Sequence, residues 1–251
     1  MKYVIIGGTG LIGKKLVEIL KERGHQVQPA SPSSGVNTIT GEGLKEALTG
    51  ADVVVDVSNA PSWEDNAVLT FFQTSQQHIG DAEKAAGVKH HIALSIVGAE
   101  RLPDNGYLRA KVAQEELIRK SGVPFTIVRA TQFFEFLNGI ADASMKGDEV
   151  HLSTGAIQPI AAEEVSAALA DIAEAAPING ITEIAGPQRF ALDELVRDFL
   201  HAKGDKRKVV GDPETPYFGG KLDDQSIVPI GEARLGKISF QQWMNRQAAK
   251  L

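Results

Sequence analysis

An open, doubly wound α/β sheet with a small C-terminal lobe is the fold this sequence predicts, on three observations. Short apolar runs alternate with helix-length amphipathic stretches through the first half of the chain. The first of them, Val4 to Ile6, passes straight into a glycine-rich turn and then a helix. At 251 residues the chain can bury one sizeable core. Strands that alternate with helices point to parallel βαβ units, whose crossovers cover both faces of the sheet.

Each element follows from a local pattern. Leu16, Val17, Ile19 and Leu20 form one helical stripe that ends at Gly24. A weak strand is expected near Val27, a helix near Leu44 to Leu48, a strand over Val53 to Val57, and a long helix from Asp65 to Ala86. Then come a strand over His91 to Ser95, a helix over Tyr107 to Lys120 and a strand over Phe125 to Val128. Beyond residue 130 the rhythm loosens into a helix over Ala162 to Ala175, a short strand over Thr182 to Ala185, a helix over Leu192 to Ala202 and the turn-rich "GDPETPYFGG". Residues 1–152 are therefore read as the core and 153–251 as mostly a substrate lobe of the same domain.

Composition narrows the function. Hydrophobic residues make up 43% and charged residues 23%, with no apolar run near the roughly 18 residues of a membrane span. No membrane association is expected, and the opening "MKYVIIGGTG" reads as a first strand rather than a leader. Without cysteine there are no disulfides, thiolate metal sites or cysteine nucleophiles, and the cytoplasm is the expected location. A net charge of −6 lacks the basic footprint of a nucleic-acid binder. His90 and His91 are adjacent on a strand, so they point to opposite faces and cannot share an ion. No metal site is expected.

"IIGGTGLIGKKL" places glycines at 7, 8, 10 and 13, in dinucleotide-binding spacing between a strand and a helix. Glycine permits the turn and lets the backbone approach a pyrophosphate, while the helix N-terminus offers unpaired N–H groups. Gly7, Thr9, Gly10, Leu11, Ile12 and Gly13 are the candidate cofactor contacts of a Rossmann-type sheet. A triphosphate loop is the rival reading of Gly8 to Lys14, but Lys15 stands where a hydroxyl should hold magnesium. After the second strand, "QVQPASPSSG" carries no carboxylate, and Ser31, Ser33 and Ser34 offer hydroxyls, either to a 2′-phosphate or simply to a turn beside Pro32. This favours NADP(H) without excluding NAD(H).

With this turn and "ALSIVGAERLPDNGYLRAKVAQEELI", nearly the whole chain resembles the short-chain dehydrogenase/reductase superfamily, and within it the atypical NmrA-like NAD(P)H-binding branch. "LKEALTGADVVVDVSNA", "GVPFTIVRATQFFEF" and "EIAGPQRFALDELV" resemble further family segments. The resemblance implies that Ser95, Tyr107 and Lys111 match the catalytic Ser and Tyr-x-x-x-Lys pattern. Tyr107 would exchange a proton with the substrate oxygen, Ser95 would polarise that oxygen, and Lys111 would stabilise the phenolate and bind the nicotinamide ribose. The asparagine that completes a proton relay in many members has no counterpart between Gln73 and Ala86. Ser58 and Asn59 are expected on the adenine-ribose side of the cofactor, and Trp63 and Phe133 in the substrate pocket.

The expected activity is NADPH-dependent reduction of a small carbonyl or quinone-like substrate, reversible as alcohol oxidation. Two alternatives stand beside it: a non-catalytic NAD(P)-binding redox sensor, and a nucleotide-sugar epimerase or dehydratase. Exposed helices would allow a homodimer.

Overall fold

The structure is a computed structural model and describes residues 1–249. Its central sheet has seven strands: β1 (Lys2–Ile6), β2 (Gln26–Ala30), β3 (Val53–Asp56), β4 (His90–Ile96), β5 (Phe125–Ala130), β9 (Gly180–Ala185) and β12 (Arg234–Leu235), in the order β12-β9-β5-β4-β3-β1-β2. β1 pairs in parallel with β2 and β3, β3 with β4, and β9 with β12. The doubly wound expectation is met: strand order reverses beside β1, where the chain returns to the other side of its first strand.

Helices α1 (Leu11–Glu22), α2 (Leu44–Leu48), α3 (Asp65–Ala86), α4 (Gly106–Lys120) and α6 (Ala162–Glu174) connect the strands. The strands are buried as continuous apolar runs because both faces are covered; Val53, Val54 and Val55 are at most 1% exposed. β2 is weak for a reason visible in its residues. It is the sheet's edge, and only there can Pro29, which has no N–H to donate, sit in a strand. α3 starts where the Glu64 side chain accepts from the N–H groups of Asn66 and Ala67, and ends at Gly87 with φ +68°.

The chain forms two compact units. The first comprises residues 1–95, 106–129 and 165–182; the second comprises 96–105, 130–164 and 183 onward. The first holds β1 to β4 almost entirely, with a core on one sheet face built from Val4, Ile6, Val54, Leu44, Leu48 and Ile79.

The second unit contains elements with little sequence signal. These are α5 (Leu137–Ala143), β6 (Met145–Lys146), β7 (Glu149–Leu152), β8 (Ala156–Ile157), β10 (Phe190–Ala191), β11 (Lys208–Gly211) and α8 (Phe240–Ala248), alongside the expected α7 (Leu192–Ala202). β11, β7 and β6 form a three-stranded sheet, and β10 pairs with β8. Phe134 is buried and stacks on Trp243 at 5.3 Å. Among the described residues no helix is long and apolar enough to cross a membrane.

Candidate cofactor and proton-transfer site

The glycine turn is built by close backbone approach. Gly7 has φ +79°, and a Cβ there would lie 2.8 Å from the Cα of Ser58 at the end of β3. At Gly13 a Cβ would lie 2.2 Å from the carbonyl oxygen of Gly7, so only glycine lets α1 pack this closely on the turn. The Gly7 N–H donates to the Ala30 carbonyl at 2.8 Å, which ties the turn to the end of β2. α1 begins without a side-chain cap, and its first turn carries no acid. Its leading N–H groups are therefore available to an anion, as a pyrophosphate requires. The Ser58 hydroxyl beside the turn is buried and has no hydrogen-bond partner among the described residues. The glycine cradle, the uncapped helix and this orphaned hydroxyl together fit a dinucleotide.

After β2 the three serines form a compact 3₁₀ turn over Pro32–Ser34. Ser31 Oγ lies 2.9 Å from Ser33 Oγ, and Ser34 Oγ accepts from the Ser31 N–H at 2.9 Å. These hydroxyls brace the turn. Lys14 is exposed on the first turn of α1.

Tyr107 and Lys111 share α4, one turn apart. The Tyr107 ring lies edge-on to Phe72 at 5.8 Å and beneath Trp63 at 5.4 Å, and Trp63 itself is 74% exposed. Its hydroxyl donates to Asn59 Oδ1 at 2.8 Å. Asn59 is thus bonded to the tyrosine, a partnership that the spacing in sequence does not suggest. Lys111 is buried at 3% exposure; its ammonium donates to the Leu94 carbonyl at 2.8 Å and to Gln114 Oε1 at 2.5 Å, and lies 4.3 Å from the centre of the Phe72 ring. Gln114 in turn donates to Asp56 Oδ2 at 2.9 Å.

Burial pushes the Tyr107 phenol above its ordinary value, and the charge of Asp56 adds to this. Burial lowers Lys111 itself to about 8, against the pull of Asp56 and Glu115.

Ser95 lies one residue before the end of β4, buried at 3% exposure, and its hydroxyl donates to Glu115 Oε1 at 2.6 Å. Glu115 also accepts from Arg129 Nε and Nη2 at 2.9 and 2.8 Å and from Arg119 at 3.1 Å. The structure thus brings Tyr107, Asn59 and Trp63 together, and binds Ser95 into a carboxylate–guanidinium cluster. Phe133, in the second unit, stacks on Phe136 at 5.5 Å. His90 and His91 do point apart, to Thr126 and to Glu83. Asp56, Glu115 and Arg129 were the residues missed. Their one sequence signal was a charge inside or ending an apolar strand or helix face.

A parallel sheet that reverses beside a glycine-lined strand-to-helix turn defines a dinucleotide-binding α/β protein. Residues 7–176 match the family described as NAD(P)H-binding, and the chain belongs to that family. Among curated proteins it is 29% identical over 153 residues to the photosystem II assembly factor Ycf39 of Cyanophora paradoxa, covering 55% of this chain and 48% of that one. It is 28% identical over 143 residues to the (4-alkanoyl-5-oxo-2,5-dihydrofuran-3-yl)methyl phosphate reductase of Streptomyces griseus subsp. griseus, covering 52% and 47%. The chain spans about half the length of these relatives. A short-chain dehydrogenase/reductase superfamily protein from Agrobacterium tumefaciens, solved with bound NAD, superposes with a TM-score of 0.74 at 14% identity, over 99% of this chain and 96% of that one. The superfamily fold expected from the motifs is thereby found.

Proposed function

We propose that the protein is an NADPH-dependent oxidoreductase acting on a small carbonyl or quinone-like substrate. The observation that carries this reading is the Tyr107 hydroxyl, oriented by Asn59 and set one helical turn from the buried Lys111. A bound nicotinamide supplies the hydride. Tyr107 gives its proton to the substrate oxygen as charge develops there, its O–H turning from Asn59 Oδ1 to that oxygen as the bond to Asn59 breaks. Lys111 offsets the phenolate charge left behind. Ser95 enters as a positioning residue, because its hydroxyl is held by Glu115. The 2′-phosphate would be met by the acid-free serine turn, with Lys14 as its cation. The reductase among the relatives supports turnover.

A second reading is cofactor binding without turnover, in service of a protein partner. It is favoured by the raised phenol of Tyr107 and by the assembly factor among the relatives. Titration with NADPH and NADH, followed by a panel of carbonyls and quinones with wild type and Tyr107→Phe, separates the two. The reductase reading expects turnover that falls about 10²–10⁴-fold in the variant while cofactor affinity holds. Binding with no turnover from either protein establishes the second.

A further inference from the structure

The second unit contains a pocket of about 260 Å³ between the strand pair β6–β7, the start of α7 and the segment 215–219. The proton chemistry proposed above does not involve it. One wall is apolar: Met145 and Phe218 are 37% and 52% exposed, the rings of Tyr217 and Phe218 meet edge-on at 4.8 Å, and Leu152 and Leu192 lie buried behind them. Lys146 and His151 add nitrogen donors, and no Asp or Glu is among the described lining residues. Glu149 lies 3.3 Å from His151 and is also paired with Lys208 at 2.7 Å.

Two features of the loop bear on what the pocket holds. Burial alone pushes the Tyr217 phenol up, with no hydrogen bond or charge from the described residues contributing. Phe218 has φ +45°, a left-handed conformation that an aromatic residue keeps only where its surroundings enforce it. The reciprocal bonds between Tyr217 and Gly220, at 2.7 and 3.1 Å, do so and leave Phe218 52% exposed beside the pocket.

We propose that this pocket binds a small aromatic carboxylate, its ring against Met145 and the Tyr217–Phe218 pair, its anion toward Lys146 and His151. An apolar wall calls for a ring, and donors without a lining acceptor call for an anion. Among the described residues Lys146 pairs with no carboxylate and His151 is already shared with Glu149, which matches a single negative charge better than a phosphate dianion. The volume, near the low end of the roughly 300–1,000 Å³ of ligand pockets, suits one or two rings. The site requires no hydride transfer, so it stands or falls apart from the reductase reading.

Calorimetric titration of the full chain with 2-naphthoate, 2-naphthylmethanol and 2-naphthyl phosphate tests this, with a cooperative thermal unfolding transition as the check that each variant is folded. The expected result is naphthoate binding at least about tenfold tighter than the alcohol, in line with a charge-assisted hydrogen bond. Lys146→Met should weaken it about tenfold, and Ala143→Trp, at an exposed lining position, should abolish it. No naphthoate binding up to about 5 mM, which is weaker than about 3 kcal/mol of affinity, would overturn the proposal. So would equal affinity for the alcohol, or binding that neither variant moves. Tenfold tighter binding of the phosphate would overturn the carboxylate assignment in favour of a phosphorylated ligand.

Discussion

Lys111 is held between opposing effects: burial disfavours its ammonium, while Asp56 and Glu115 favour it, and the outcome is a value lowered to about 8. Below that pH the residue is charged and can offset a phenolate; above it the charge is lost. The rate of carbonyl reduction should therefore fall as pH rises through about 8, with the limb displaced upward or abolished in Lys111→Arg. Stability moves the other way. Because the folded value lies below the ordinary lysine value of about 10.4, the unfolded chain holds the extra proton between the two, and folding gains as pH rises across that window. A kcat/KM profile and thermal midpoints from about pH 6 to 10 would show the opposed trends; a flat rate profile across this range would remove Lys111 from the chemistry.

At the scale of elements, Glu115 joins α4 to β4 and β5 through Ser95 and Arg129. Removing one partner of a buried pair leaves the other charge unanswered, so Glu115→Ala should cost about 3–5 kcal/mol. Ser95→Ala, which deletes one hydrogen bond to a charged group, should cost about 1.5–3 kcal/mol. Urea unfolding measures both, and equal losses would mean that the guanidinium is not the group left exposed to the penalty. The pairing within this cluster was not legible in sequence, because Ser95 and Arg129 lie 20 and 14 positions from Glu115 and meet it only once the sheet forms. The helices were legible where apolar stripes met a clear stop, as in Asp65–Ala86, which ends at Gly87. Strands β6, β8, β10 and β12 have two residues each, too few to show a period. α8 did carry a signal, the reciprocal cap between Ser239 and Gln242, but its apolar face rests on little more than Trp243. The glycine turn was readable because its chemistry is local; the partner of Tyr107 was not, because Asn59 lies 48 positions away.

For the whole molecule, a ligand that binds only the folded chain stabilises it by mass action. NADPH at 100 times its Kd should add about 2.7 kcal/mol, seen as a raised thermal midpoint. Gly13→Ala should lose that shift, since its methyl would meet the Gly7 carbonyl 2.2 Å away. A larger shift with NADH than with NADPH, at equal concentration, would reverse the proposed cofactor preference. The path of the chain has a consequence of a different kind. It passes between its two units at residues 95–96, 105–106, 129–130, 164–165 and 182–183, so neither unit is a continuous stretch of gene. Recombination cannot exchange one for a foreign counterpart in a single crossover. New specificities in such a protein have to arise in place, by point change and by short insertions in the second unit's loops, while the inherited reading frame around the glycine turn stays intact.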